Sequence, residues 1–276
     1  MRLMSLLGAR AGATLLTLCV LFHGAQAADS TEGSGQAPGK ESGGFWSGFD
    51  ITLGVLVGSE PDYEGSDSYD FVALPLVDIT YRDTLFLHTD TLGASFSPIS
   101  GFSFGPLVSY GMGRDEDDND DLDGLGDVNS AILVGGFASY EISRFTLSVE
   151  VLRAVTGDHD GTVVEPSLSY GHEVTPALSF EVGLGATWAS DDYMETFFGI
   201  DAAQAANSRL RRFDADAGFK DINLSLGASY ELDESWALLG EVGYTRLLGD
   251  AADSPLVDDV GSRDQFHILT GISYSF

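Results

Sequence analysis

The chain has 276 residues, with 43 acidic residues against 13 basic ones, and its net charge is −30 at pH 7. So negative a chain excludes nucleic-acid binding, because phosphates require a basic footprint. Its apolar fraction of 43% and aromatic fraction of 11% do not fit a highly charged disordered chain. No stretch after residue 28 has the roughly 18 consecutive apolar residues of a membrane helix, so spanning helices are excluded as well.

The first 28 residues have the pattern of a secretory signal peptide. Arg2 and Arg10 supply positive charge, residues 11–22 are mostly apolar, and Ala25-Gln26-Ala27 offers small residues for cleavage. The one cysteine lies in this segment. Cleavage would leave eleven basic against 43 acidic residues, a net charge of −32, and no cysteine for a disulfide. We expect an exported protein that loses residues 1–28.

Two further segments follow the signal peptide. Residues 29–44 are rich in Gly, Ser and polar side chains, which predicts a flexible periplasmic tether. Residues 45–276 contain segments of about ten residues in which apolar side chains alternate with Ser, Thr, Gly and Glu. That alternation predicts an all-β fold, a transmembrane antiparallel up-and-down β-barrel, since a closed barrel is the one membrane-spanning structure that strands can build.

Eleven strand candidates occur in the barrel segment. A closed bacterial barrel has an even number of strands, with short turns on the periplasmic side and long loops outside. Counted back from the carboxyl terminus, short and long connections alternate correctly as far as Gly101, so the miscount lies between residues 44 and 101. One missed strand gives twelve, which suits the length better; one false strand gives ten. The candidates are residues 49–57, 71–81, 84–96, 102–110, 132–141, 145–156, 164–171, 178–188, 222–230, 236–244 and 265–276.

The final segment, Gln265–Phe276, alternates throughout, apart from Leu269, the one apolar residue of the polar parity. The other parity is apolar or aromatic and predicts a lipid-facing side. An aromatic last residue with such side chains at alternate positions before it resembles the signal that the barrel assembly machinery of the outer membrane recognises. The residues that carry this assembly signal are Ile268, Ile272, Tyr274 and Phe276.

Short segments spread over the whole barrel share a further pattern with known sequences. The most specific is Arg246–Pro255 (RLLGDAADSP); the others are residues 61–66, 113–114, 122–127, 158–161, 193–200, 261–266 and 274–276. On these segments the chain resembles the MipA/OmpV family of outer-membrane proteins. The resemblance implies a location in the outer membrane of a Gram-negative bacterium, amid lipid and lipopolysaccharide. It also implies a scaffold that recruits a murein lytic transglycosylase and a penicillin-binding synthase at its periplasmic face.

The family brings no catalytic motif, so we expect a monomeric scaffold without enzymatic activity and without a cofactor. Gly101–Gly105 matches the G-x-S-x-G pattern of hydrolases, but that pattern requires a helix after the serine and here a strand follows. Asp158-His159-Asp160 has an acid and a base side by side, yet no serine is tied to it, and the flanking glycines indicate an ordinary turn.

A narrow cation-preferring pore is an alternative function. Ionised carboxylates are costly in lipid, so glutamates within the strands are expected to face the lumen, where they would attract cations. Four glutamates share the inward parity of their strands: Glu150, Glu165, Glu181 and Glu241.

The third candidate function is adhesion or the organisation of lipopolysaccharide, which the long outer loops indicate. Residues 190–215 form the longest one, with a short helix predicted over Ala202–Ala206 from the capping pair Asp201 and Gln204. Its arginines either bridge to neighbouring acidic loops or bind lipopolysaccharide phosphates through their guanidinium groups. The candidate contacts are Arg209, Arg211 and Arg212.

The acidic segment Asp115–Asp127 resembles a calcium-binding EF-hand loop in part. The first position of that loop should be Asp and is Asn119, and the twelfth should be Glu and is Ser130. Two interpretations remain for the segment, a solvated run of charge or diffuse binding of Ca²⁺ or Mg²⁺. The cation candidates are Asp117, Asp121 and Asp123.

Overall fold

In the computed structural model, residues 48–276 are described, and they form one antiparallel sheet that closes on itself. The predicted signal peptide and tether lie outside the described residues. Each strand pairs with the next one along the chain, and the first strand pairs with the last. Closure gives every strand two neighbours over at least part of its length, so most backbone groups of the wall are paired.

Thirteen strand segments make up the wall. They are β1 (Phe49–Pro61), β2 (Tyr69–Tyr81), β3 (Leu85–His88), β4 (Thr91–Ala94), β5 (Phe96–Ile99), β6 (Phe102–Gly111), β7 (Ala131–Ile142), β8 (Phe145–Ala154), β9 (Thr162–Thr175), β10 (Leu178–Ala189), β11 (Gly218–Glu231), β12 (Trp236–Leu247) and β13 (Asp264–Ser275).

The barrel has twelve strands, because β4 and β5 are two parts of one strand. Both pair with β6, through Thr91–Gly93 and through Phe96 and Ile99 respectively, and Ser95 interrupts them. The predicted strand over residues 84–96 is wrong as a single strand: it contains β3, a turn at Thr89-Asp90 and the start of the next strand. The strand missed between residues 44 and 101 therefore begins within this segment, and a barrel of twelve strands rather than ten is confirmed.

Side chains alternate between lipid and interior on nearly every strand. On β13, Phe266, Ile268 and Ile272 are exposed on the outer surface, and Leu269 faces inward. Leu269 is the apolar exception in the sequence because it packs in the interior against Leu56 and Val72. The predicted alternation is confirmed, and its one irregularity reflects an apolar patch inside the barrel.

The outer loops contain the helices. They are α1 (Asp191–Phe198), α2 (Ala202–Asn207), α3 (Gly249–Asp253) and α4 (Pro255–Asp258), with 3-10 turns at Glu116–Asp118 and Asp120–Leu122. The predicted helix is confirmed in α2, where Asp201 and Gln204 form a capping box. Among residues 48–276 no helix is both long and apolar enough to cross a membrane.

The opposite end of the barrel has short connections, such as Ser143-Arg144 between β7 and β8 and Pro176-Ala177 between β9 and β10. The strand predicted over residues 164–171 is too short, because β9 continues to Thr175. Backbones of positive φ at Arg82, Asp83 and Ser143 make these connections tight. By the usual topology of such barrels this end is periplasmic.

Candidate functional site

The outer end of the barrel is closed over by its own loops. Two clusters of buried apolar side chains join residues from the loops after β1, β6, β10 and β12. The loops after β6 and β12 start from opposite sides of the ring, so their contact spans the mouth. We call this assembly the cap. Its buried members include Tyr63, Leu122, Leu125, Tyr193, Met194, Phe197, Phe198, Ile200, Leu210, Leu256 and Val257.

Buried hydrogen bonds join the loops of the cap to one another and attach the cap to the wall. The Arg114 guanidinium donates to the carbonyl of Phe197 at 2.9 Å, and the Ser254 hydroxyl donates to the carbonyl of Phe198 at 2.6 Å. On the first loop, the Gln265 amide donates to the carbonyl of Ser66 at 3.2 Å. Burial, its largest cause, lowers the pKa of Arg114, and the neighbouring Tyr63 and Glu64 act against it. Backbone carbonyls of the loops thus find partners although they lie away from water.

A buried group of charges lies beneath the cap. Lys220, whose side chain is 6% exposed, forms ion pairs with Glu64 and, at 2.9 Å, with Asp221. Asp221 also accepts a hydrogen bond from Thr187 at 3.2 Å, and the Tyr193 hydroxyl donates to Glu64 at 3.3 Å. Two loops, those after β1 and β10, and two wall strands, β10 and β11, are joined by these contacts. Neither Lys220 nor Glu64 was singled out from the sequence, because Glu64 lies in a loop where no periodicity applies.

The four glutamates predicted for the lumen lie on β8, β9, β10 and β12. Glu150 and Glu165 are directly opposite each other on β8 and β9. Glu241 is bonded to His267 on β13, with 3.0 Å between Oε1 and Nε2. Within the described residues, Oε1 of Glu150 is buried without a hydrogen-bond partner. The inner wall is therefore acidic on the β8–β10 side.

The interior also contains apolar side chains. Leu74, Leu76 and Leu239 pack around the buried trio of Leu56, Val72 and Leu269. Phe86 on β3 contacts Phe137 on β7, with 5.9 Å between ring centroids. Both carboxylate and apolar side chains therefore line the interior of the barrel, which can contact chemically different groups.

The acidic segment Asp115–Asp127 folds as part of the cap. Leu122 is fully buried, and Glu116 accepts backbone hydrogen bonds from Gly124 and Gly126 at 3.2 and 3.0 Å. In residues 48–276 no group of three or more His, Asp or Glu side chains is arranged to hold a metal ion. Cation binding by Asp117, Asp121 and Asp123 stays a prediction.

Two of the three loop arginines have acidic partners. Arg211 lies 3.7 Å from Asp259, and Arg212 lies 2.9 Å from Asp214. Arg209 is exposed on the same loop, and all three remain candidates for lipopolysaccharide.

The G-x-S-x-G pattern has a structural role in the wall. Gly101 forms the tight turn before β6 with a φ of +78°, and a Cβ on Gly105 would lie 1.6 Å from the carbonyl oxygen of Ala94. Ser103 is hydrogen-bonded to Ser97 at 2.8 Å. These glycines are required by a turn and by a close approach of strands.

His159, in the outer loop after β8, lies against aromatic rings of the cap. Its ring centroid is 5.9 Å from that of Tyr193 and 5.4 Å from that of Phe197. Its Nδ1 accepts a hydrogen bond from the N–H of Gly161 at 3.1 Å. Burial lowers the pKa of His159, and the carboxylates of Asp158, Asp160 and Asp192 oppose the shift. A neutral, packed histidine suits a structural role.

The proposed assembly signal lies at the periplasmic end. Phe276 is 77% exposed, and its ring lies 4.8 Å from that of Tyr274. Ile268 and Ile272 continue the same outward stripe on β13. These side chains are on one face, as a recognition stripe requires, while their recognition stays a prediction.

Comparisons with known proteins fit this architecture. Residues 53–276 match the family described as MltA-interacting protein MipA. The MltA-interacting protein of Escherichia coli (strain K12) is 30% identical over 156 residues, a match that covers 55% of the chain and 59% of that relative. The putative outer membrane protein YiaT of the same organism is 27% identical over 209 residues, covering 74% and 82%. An outer membrane channel from Pseudomonas putida F1 superposes with a TM-score of 0.45 at 13% identity, covering 87% and 100%.

Proposed function

Since the chain belongs to the MltA-interacting protein MipA family, we propose that it is a non-enzymatic outer-membrane scaffold for peptidoglycan-remodelling enzymes. Its first partner would be a lytic transglycosylase, and a penicillin-binding synthase would bind beside it. Holding two enzymes at one barrel raises the effective concentration of each for the other. The match over 156 residues to a relative named MltA-interacting protein is the observation that carries this proposal.

The architecture supports a partner at the periplasmic end. The cap packs the outer loops on one another, whereas the periplasmic turns present exposed charges to the space where murein enzymes work. Basic side chains there are Arg82 and Arg144. Exposed acids are more numerous and favour a partner surface rich in Lys and Arg: Asp83, Glu141, Glu173, Glu231, Asp233 and Glu234.

Binding to a purified lytic transglycosylase tests the proposal. We expect the detergent-solubilised full-length barrel to retain the enzyme, and the variant with Glu173→Lys, Glu231→Lys and Glu234→Lys to lose at least tenfold in affinity. Asp120→Lys, a charge reversal on the exposed outer surface, is the matched control and should bind as the parent does. Deletion of residues 29–44 separates a contribution of the tether. A folded barrel that retains no transglycosylase at low salt would refute the scaffold.

A narrow cation-preferring pore is the second candidate, favoured by the facing pair Glu150 and Glu165 in the interior. Planar-bilayer recordings test it. We expect cation selectivity in the parent and a reduced selectivity in the Glu150→Gln, Glu165→Gln variant. Absence of conductance in a folded, inserted barrel would exclude a pore.

A further inference from the structure

The barrel wall has an opening beside β2. Of the thirteen residues of β2, only Asp78–Tyr81 pair with β3. The β3–β4 hairpin is so short that its tip, Thr89-Asp90, reaches only Val77, whose carbonyl accepts from the N–H of Thr89 at 2.6 Å. Beyond that point Tyr69–Leu76 have a partner strand on one side only, within residues 48–276. At about 3.3 Å per residue, this free edge is roughly 26 Å long.

The free edge carries backbone groups that point into the opening. Backbone groups of alternate residues in an antiparallel strand face opposite neighbours. Val77 uses its carbonyl toward the hairpin, so the backbone groups of Ala73 and Phe71, four and six residues further out, face the same way. Pro75 shares this parity and has no N–H to leave unpaired, and prolines in sheets are confined to such edges. Pro75 also blocks full pairing by another strand, so an added β-strand is a poor occupant.

The opening lies at the level of the lipid. Phe71 is 76% exposed on the outer surface, and Tyr81 ends the same strand at the periplasmic side. Aromatic side chains of this kind mark the two interfaces of a barrel wall. Ala73 and Pro75 are exposed between them, toward hydrocarbon. The material outside this edge is therefore the acyl region of the bilayer.

The side chains just inside the opening are also apolar. Val72, Leu74 and Leu76 alternate along the free edge on its inner side, and Leu74 and Leu76 are only half-buried. Most barrel interiors of this size are lined by polar groups. Hydrocarbon lies outside the opening, apolar side chains lie inside it, and no strand separates the two. An acyl chain can therefore enter the barrel at this place.

Carboxylates surround the outer corner of the opening. The side chain of Asn119 in the loop after β6 donates to Asp62 at 2.8 Å and joins the two sides of the opening above β2. Burial raises the pKa of Asp62, the hydrogen bond from Asn119 lowers it, and Asp70 and Asp67 raise it further, which places all three carboxylates in one region. Such a rim repels anionic headgroups and attracts an ammonium group.

We propose that this opening is a lateral lipid-binding site, in which a phospholipid with an amine headgroup inserts one acyl chain between β2 and the β3–β4 hairpin. The chain would lie on Leu74 and Leu76 inside the barrel, and the ammonium would face Asp67 and Asp70. The inserted chain shields the apolar inner wall from water. Neither the scaffold nor the pore depends on this site.

Photo-crosslinking tests the site in the full chain with Cys19→Ser as background. Leu74→Cys or Leu76→Cys is labelled with a benzophenone maleimide, and the folded barrel is irradiated in vesicles of phosphatidylcholine mixed with either phosphatidylethanolamine or phosphatidylglycerol. Heat-modifiable migration verifies folding. Mass spectrometry should find phosphatidylethanolamine adducts at both positions, several-fold above those with phosphatidylglycerol.

Two control positions calibrate the labelling. Ser169→Cys faces the interior on β9 and should give no lipid adduct, whereas Leu224→Cys faces the bilayer on β11 and should give adducts of either lipid equally. If positions 74 and 76 behave as position 169 does, the site does not exist. Equal labelling at position 74 by both lipids would overturn the assignment of an amine headgroup.

Discussion

Lys220 on β11 and Glu64 in the loop after β1 form a buried ion pair that connects the cap to the wall. Asp221 is the second acidic partner of the same ammonium. Breaking such a group by removing one member leaves the others buried without compensation, which costs about 3–5 kcal/mol. The pair therefore holds the first loop in place more firmly than any exposed bridge does.

We expect Lys220→Met to destabilise the folded barrel by about 3–5 kcal/mol, since Glu64 and Asp221 would then repel each other in a dry environment. The midpoint of unfolding in guanidinium chloride, read by heat-modifiable migration, measures the loss. The control is Arg153→Ala, which removes the ion pair with Asp160. Both side chains of that pair are more than half exposed, so the loss of stability should be within about 1 kcal/mol. Equal midpoints for the two variants would show that the buried pair is dispensable.

Leu122→Ala should loosen the cap. Leu122 is fully buried among side chains of opposite loops, and truncation of a buried leucine costs about 2–5 kcal/mol. The expected result is faster cleavage of residues 112–130 by protease added outside intact cells. Leu168→Ala, on the lipid-facing surface of β9, should leave the cleavage rate unchanged. Cleavage at the parental rate in Leu122→Ala would mean that the cap does not depend on this contact.

The cap should also weaken as the pH falls below neutrality. The pKa of His159 in the folded barrel is lowered from 6.5 by burial, so the unfolded state binds the proton more readily. Stability is then fully present above pH 6.5 and declines as the pH falls toward the folded pKa. Hydrogen exchange of residues 155–161 at pH 7.5 and 5.5 measures this. His159→Gln should lose the pH dependence, and a pH dependence retained in His159→Gln would assign it to other groups.

Phe276→Ala tests the assembly stripe. Because Phe276 is 77% exposed and its ring meets that of Tyr274 edge-on, we expect little change in the stability of the refolded barrel. Assembly in cells should fall several-fold, seen as less heat-modifiable protein in the outer membrane. Ser275→Ala, at the neighbouring position, is the control. Normal assembly of Phe276→Ala would remove the last residue from the signal.

The wall of the barrel could be predicted because lipid-facing and inward-facing side chains alternate along each strand, a pattern that is visible within a few residues. The outward stripe of β13 follows from alternation alone, and so does the inward placement of Glu150 and Glu165. The strand count from sequence was one short because β3 has only four residues and the turn at Thr89-Asp90 lacks Gly, Pro and Asn-Gly signals. Thr89 nevertheless adopts a φ of +41° there.

The cap could not be predicted in the same way. Asp115–Asp127 has the composition of a solvated segment, and the burial of Leu122 and Leu125 depends on loops far away in sequence. Glu64 and Lys220 are 156 residues apart, so no local pattern relates them. The capping box of α2 was visible because Asp201 and Gln204 are three residues apart and act within one helix turn.

The pairing of β1 with β13 also fixes an order of events during biogenesis. Thr52 and Ser275 are register partners across this seam, so the ring is complete only when β13 pairs with β1. Until then both β1 and β13 are unpaired edges, and contacts between the two ends of a chain form slowly. Closing this seam is therefore the step that removes the last two exposed edges, at which the chain could otherwise pair with another chain.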